Sequence, residues 1–389
     1  IIFTTGSSYL ERLRIKSDGT ITTATSGTSN LRLGSSAGVS IASGGNYNTL
    51  IGDAAGAALT TADYATVVGY QAANNTTTPG EGLTAVGAHA LYTNTTGEDL
   101  VAVGRAALYS NTTGEDNVAI GRSALQSNTT ASNNIGIGYQ ALFAATTGNQ
   151  NVAIGSNALD ANTVGDRNVA IGNYALTNFN PSSNADTYNV AIGYTAGNNL
   201  TTGVQNVLIG GIAGDALTVG SYNTVLGTTA LGADTQGSKS TAIGYSTLVN
   251  QNFTSATDAY NTAVGFEAGQ AVTTGVKNTF VGGLSADATT VGSDNVAVGF
   301  EALSTNVGGA ANVAIGAEAL ENMNPGSSSS ATYNTAVGVK AGKAITTGIQ
   351  NTLIGGLAGD LLTDADYNVA VGVSALGADT LGSKSTAIG

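Results

Sequence analysis

Asn117-Val118-Ala119-Ile120-Gly121 decides the fold of this 389-residue chain. Its central residues form a short apolar, β-branched run bounded by Asn and Gly, which marks a strand between turns and is too short for a helix. The phrase, or a close variant, occurs 21 times and closes on glycines from Gly34 to Gly389. Of the 20 intervals between those glycines, 15 are 17 residues, two are 18 and three are 21 or 22. A fixed short period is the signature of a solenoid, in which each repeat is one coil of a stack. The long intervals, Gly172 to Gly193, Gly244 to Gly265 and Gly316 to Gly338, recur every four coils. Residues 232–244 return at 377–389 with one change, Gln236 against Leu381. Duplication accounts for both patterns.

Within the unit 117–133, alternation puts Val118 and Ile120 on one face of the strand and Ala119 on the other. All three are apolar, so both faces are expected to be covered. The expectation is that the Val and Ile face enters the coil while the small alanine face admits another chain at close range. Ala102, Ala119, Ala153, Ala170 and Ala191 are therefore the candidate interface residues. A second alanine, three residues after the motif glycine in 18 of 20 complete units, suits a turn into the core; Thr247 and Ser285 are the exceptions. The leading Asn is present in 16 of 21 units. Asn117, Asn151, Asn168 and Asn189 are candidates for a ladder of amide hydrogen bonds serving the turns of successive coils. Stacked at ~4.8 Å, 21 such coils would make a rod roughly 100 Å long.

Composition removes most chemistry. Cys and Trp are absent and His and Met each occur once, which excludes disulfides, thiolate metal sites and Cys nucleophiles. Charged residues make up 10% of the chain, against the usual ~25%. With 12 basic and 25 acidic residues the net charge of −13 repels nucleic acid and anionic membrane. No apolar run approaches the ~20 residues of a membrane-crossing helix. Neither a cofactor nor a metal is expected. Residues 1–29 differ from the rest, and Leu10-Glu11-Arg12-Leu13-Arg14-Ile15-Lys16-Ser17-Asp18-Gly19 reads as a strand, a tight turn and the start of a return strand. This β-hairpin connector is expected to join the repetitive shaft, residues 30–389, to an upstream module. The chain is expected to continue on both sides, since a solenoid that stops on a strand motif at Gly389 lacks a capping unit.

The Asn-Val-Ala-Ile-Gly phrase with its following alanine resembles the head repeats of trimeric autotransporter adhesins of the YadA-like kind. It is also similar to repeats of bacteriophage tail fibres, to which the Leu10–Gly19 segment adds a second likeness. The resemblance implies a left-handed parallel β-roll wound in a homotrimer, so that two identical chains are the expected partners. It further implies a structural fibre shaft in a virion appendage, presenting a host-recognition tip to a surface receptor. The alternative is an adhesin head, extracellular or on a cell surface, whose rod itself binds host or matrix.

Other motifs carry less. Gly34-Ser35-Ser36-Ala37-Gly38 matches a nucleophile elbow, yet equivalent places in other coils hold Thr195 and Lys340, so the serine is incidental. Residues 232–240 approach a phosphate-binding loop, but Lys239 follows Gly-Ser and no helical pattern succeeds it. His89 is alone and reads as a surface residue. The Gly-Glu-Asp triplets at Gly97 and Gly114 lack the grammar of calcium loops and read as solvated turn acids. Asn-x-Thr sequons at Asn74, Asn75, Asn94, Asn111, Asn128, Asn199 and Asn252 read as turn chemistry. Aromatic residues follow the motif glycine at Tyr70, Tyr139, Tyr194, Tyr245, Phe266 and Phe300, as a surface stripe or a packing surface between chains. An ice-binding array would need Thr at one strand position in most coils, and enzymatic cleavage would need paired carboxylates in a groove; neither pattern is evident. The three long intervals contain Asn180-Pro181-Ser182-Ser183-Asn184, Gln251-Asn252-Phe253-Thr254-Ser255 and Asn324-Pro325-Gly326-Ser327-Ser328, which are expected to protrude as loops.

Overall fold

The computed structural model describes residues 2–5, 10–15, 17, 21–23, 27–77 and 81–389. They divide into two compact units, Ile1–Thr187 and Tyr188–Gly389. The first unit opens with a three-stranded antiparallel sheet, Ile2–Thr5, Leu10–Ile15 and Ile21–Thr23, in which Leu10–Ile15 is central. The hairpin expected from the sequence is the second and third strands; the first strand is an addition. The expected turn at Asp18-Gly19 lies outside the described residues. After this sheet come nine parallel three-residue strands, one per coil, from Leu31–Leu33 to Val169–Ile171. The second unit contains twelve, from Val190–Ile192 to Thr386–Ile388. The chain is thus an all-β parallel solenoid of about 21 coils, with no helix among the described residues.

Hydrogen bonds between coils run almost the whole way round each turn, because a 17-residue spacing returns every backbone group to the same place one layer up. From the coil at Gly121, Val118 N donates to Asn134 O at 2.9 Å, Leu125 N to Ala141 O at 3.0 Å and Ser127 N to Phe143 O at 3.1 Å, all in the next coil. Ser123 N donates backwards, to Arg105 O at 2.9 Å, as does Asn133 N to Glu115 O at 3.0 Å. This accounting leaves few turn amides in need of water. The motif glycine is required at this point for two reasons. Gly121 has φ +133°, outside what side chains tolerate, and a Cβ there would overlap the carbonyl of Gly138 directly above.

The strand faces are the reverse of the expected ones. Ala102, Ala119, Ala153, Ala170 and Ala191 are each 0% exposed within the single chain, so they line the coil interior and cannot meet a second chain. Their flanking residues face out, with Ile120 at 38% and Ile315 at 39% exposure. The cause lies on the opposite wall. The fourth residue after the motif glycine sits in the left-handed region, as Leu125 does with φ +49°, and its side chain crosses the interior to the next coil's strand. A Cβ placed on Gly136, the inward residue of that next strand, would stand 3.2 Å from Leu125 Cγ. The alanine is small because the chain's own leucine approaches it, not because another chain does.

The remaining coils confirm this exchange of volume. Leu91, Leu108, Leu125, Leu142 and Leu159 are followed at the next inward strand position by Ala102, Ala119, Gly136, Ala153 and Ala170. Where the inward residue is large, as at Leu50, Leu208, Phe280 and Leu353, the preceding turn supplies Gly38, Gly197, Gly269 and Gly342 instead. A Cβ on Gly269 would lie 2.8 Å from Phe280 Cδ2, and one on Gly342 2.7 Å from Leu353 Cδ1. Each layer therefore receives one large side chain, drawn from either wall, which keeps a thin core at native packing density. The second alanine of each unit, Ala124 for example, is fully buried, and so are its replacements Thr247 and Ser285.

The three insertions differ among themselves. Residues 180–184 and 324–328 contain no strand and are mostly exposed. In the middle one, Gln251 is 0% and Phe253 6% exposed, so this segment turns into the coil before emerging at Thr254. Each long interval ends in a two-residue parallel bridge on the coil below: Ala185–Asp186 on Gly165–Asp166, Thr257–Asp258 on Gly237–Ser238, and Ser330–Ala331 on Gly309–Ala310. Lys239 to Asp258 at 2.6 Å and Arg167 to Asp186 tie down two of these bridges.

Candidate interaction surfaces

The outward side of the strand ladder is the most regular surface of either unit. The last residue of every three-residue strand is Ile, Val or Leu, from Leu33 to Ile171 in the first unit and from Ile192 to Ile388 in the second. Alternation directs these side chains out once the middle residue is inside. Aromatic residues flank the row on both sides. Those expected after the motif glycine, Tyr70, Tyr139, Tyr194, Tyr245, Phe266 and Phe300, are all exposed. A second set, Tyr47, Tyr64, Tyr188, Tyr222, Tyr260, Tyr333 and Tyr367, immediately precedes the strand's leading position and is exposed as well. The sequence signal for this second set was its fixed place one residue before the Asn. Tyr47 stacks on Tyr64 at 5.3 Å and Tyr245 on Phe266 at 5.5 Å, so neighbouring coils share ring contacts along each row.

The leading asparagines form the amide ladder. Asn117 Oδ1 accepts the backbone N–H of Asn134 at 2.9 Å while its Nδ2 donates to Ala131 O at 2.7 Å. Asn151 receives Asn168 N at 2.9 Å and donates to Gly165 O at 2.8 Å. Asn168 Nδ2 donates in turn to Asn151 Oδ1 at 3.0 Å and its Oδ1 accepts from Thr187 Oγ1 at 2.8 Å. In the second unit Asn189 receives Asn206 N at 3.0 Å and donates to Gly203 O at 2.9 Å. Each amide thus joins the start of the next strand to the end of its own turn, in a fully buried position where a lost partner costs about 1–3 kcal/mol.

A second buried polar column lies seven residues after the motif glycine and was not singled out from the sequence. Asn94, Asn162 and Asn306 there accept the N–H of the glycine three residues on and donate to its carbonyl, at 2.8 to 3.2 Å. Asn94, Asn111 and Asn128 are the residues of three sequons, and their complete burial is incompatible with a glycan in the folded chain. Asn199 is exposed.

Two clusters lie on the turn that follows the strand. His89, read from sequence as a plain surface residue, is half-buried, with Nε2 3.1 Å from Gln71 Oε1, and its ring packs edge-on to Tyr70 and Tyr92. Tyr92 stacks on Tyr109 at 5.0 Å. In the second unit a cleft lined by Asp287, Glu301, Thr305, Glu321 and Asn324 brings three carboxylates to one face. Desolvation pushes the Asp287 carboxyl above the usual carboxylate range, and the charges of Glu267 and Glu301 add to it. These acids occupy the second and fifth places after the motif glycine in successive coils, a register that sequence reading had passed over. Among the described residues no three His, Cys, Asp or Glu side chains converge as metal ligands. Glu98, Asp99, Glu115 and Asp116 of the Gly-Glu-Asp triplets are exposed. Lys239 is engaged by Asp258 and, at 3.0 Å, by the Tyr260 hydroxyl; both partners hold its ammonium above the ordinary lysine range. No family model, curated protein or solved structure matches this chain.

Proposed function

We propose that the chain is the structural shaft of a fibre, in a phage tail fibre or comparable viral appendage, which holds a host-recognition tip away from the particle. The observation that carries this reading is the unbroken aliphatic row on the outside of each strand ladder. Such a row is a surface for lateral packing, and its repeat of one residue per coil fits a partner with the same spacing. The proposed partners are two further copies of the chain, in a left-handed homotrimer; handedness and copy number rest on the resemblance to adhesin heads and tail fibres. Transferring a half-exposed Ile or Val out of water contributes about 1 kcal/mol, and a row of twelve in the second unit brings that to roughly 10 kcal/mol before the entropy of association. The function is mechanical, with no catalytic step and no cofactor.

Sedimentation of the purified chain tests the proposal, and an assembly of three 38.2-kDa copies is expected. Ile120→Lys with Ile154→Lys should yield folded monomers, since lysine on an exposed face costs the coil little but leaves charge unpaired in an interface. A wild-type monomer, or a double variant that still assembles as three, would contradict the proposal. The exposed aromatic rows favour one second reading, an adhesin head on a cell surface whose rod binds host or matrix directly. Binding of the isolated chain to host cells would select it.

A further inference from the structure

We propose that Asp234 is a proton-operated latch at the foot of the 250–259 loop, closed when the carboxyl is protonated and released when it ionises. The buried column seven residues after the motif glycine holds Asn162 and Asn306 beneath the other two insertions, and Asp234 beneath this one. Those asparagines use both amide atoms, one accepting the N–H and one donating to the carbonyl of the glycine three residues on. Above them the inserted segments place apolar plugs: a Cβ on Gly165 would meet Phe179 and Pro181 at 3.0 Å, and one on Gly309 would meet Met323 at 3.1 Å and Pro325 at 3.2 Å. At the middle insertion the plug is polar. Gln251 Nε2 donates to Asp234 Oδ2 at 2.6 Å and to Ser240 Oγ at 3.0 Å, while its Oε1 accepts from Asn261 Nδ2 at 2.8 Å. Asp234 Oδ1 accepts Gly237 N at 2.9 Å and the loop's own Phe253 N at 3.2 Å. The loop is therefore seated on one side chain.

That side chain is 0% exposed, and the groups facing it are uncharged. In its own coil they are the backbone of Gln236 and Gly237; from the following coil they are Gln251, Ser240 and Phe253; Leu217 holds the same column position in the preceding coil. The ionisable residues of these coils, Asp215, Tyr222, Lys239, Tyr245, Asp258 and Tyr260, are partly or fully exposed, with Lys239 and Asp258 paired to each other. An ionised carboxyl here has N–H donors but no countercharge, and it is cut off from water. A protonated one resembles the asparagine of the other coils, with an acceptor oxygen and a donor beside it. Desolvation outweighs the N–H donors and raises the Asp234 carboxyl above the usual carboxylate range. A raised folded value means that protons bind the closed state more tightly, so the closed loop is favoured below the unfolded value of about 3.9 and loses that advantage as pH rises through the folded one.

Hydrogen–deuterium exchange on the full chain, corrected for intrinsic rates, tests this, with the 178–187 and 322–332 loops as internal references. Between pH 4 and pH 8 protection at residues 251–254 should fall about tenfold relative to the reference loops, the change that one pH unit of displacement produces. Asp234→Asn should hold that protection at its acidic level throughout. Three parallel loop profiles in the wild type would overturn the proposal whether or not the variant folds, as would an Asp234→Asn protein that keeps the pH dependence or loses protection at every pH.

Discussion

At the residue scale, the inward alanine and the motif glycine set the tightest limits. Ala119→Leu adds volume to a layer already filled by Leu108 from the preceding coil, so it should destabilise the fold by about 1–3 kcal/mol. Chemical denaturation checks this against Ile120→Leu on the outward side, where less than about 0.5 kcal/mol is expected. Equal effects at the two positions would mean that the assignment of faces is wrong. Gly121→Ala combines an unfavourable φ with overlap of the next coil's backbone. A cost above about 2 kcal/mol is expected in the same experiment.

At the element scale, each coil is a compromise between two walls. Leu125 reaches across to Gly136, whereas Gly269 leaves room for Phe280. Exchanging the two arrangements in one layer makes a test: Leu108→Gly opens a cavity and should cost about 2–4 kcal/mol, and Ala119→Leu overpacks. Combined, they should restore most of the loss, and a double-mutant cycle should give a coupling of about 1–3 kcal/mol. Additive effects would show that the two positions do not share volume. The insertions obey a different rule. Removing 326–329 should leave the melting temperature of the chain nearly unchanged, because these residues are exposed and loop length costs little closure entropy. Removing 251–254 extracts Gln251 and Phe253 from the interior and should lower it by several degrees, as scanning calorimetry will show.

At the scale of the whole molecule, stability is distributed over stacked layers, each bonded to its neighbours, as in other repeat proteins. Surface charge adds little. Lys343 bridges Glu318 and Glu321, the latter at 2.8 Å, on a partly exposed face where salt screens the attraction. Hydrogen bonding to Lys343 holds the Glu318 carboxyl below its ordinary value. That contribution is present at neutral pH and lost as pH falls through the depressed value, opposite in sign to the effect at Asp234. Raising the salt concentration to 1 M should accordingly leave the folded chain about as stable, measured by thermal unfolding. If the aliphatic rows join copies, the same salt should strengthen their association, since apolar contacts are not screened.

The sequence by itself determined the period, the strand and its parallel stacking, because Asn117-Val118-Ala119-Ile120-Gly121 repeats at an interval that only a coil can satisfy. It also identified the amide ladder, since a buried Asn at the same place in each layer has its predecessor and successor as neighbours. Which strand face is inside was decided only in three dimensions. Val, Ala and Ile are all apolar, and alternation separates them without saying which set turns inward. Leu108, eleven residues before Ala119 in sequence, settles it by crossing the interior from the opposite wall. The burial of Gln251 and Phe253 was hidden for a similar reason: a polar segment rich in turn residues reads as loop, and only the buried Asp234 beneath it supplies the partner that draws it in.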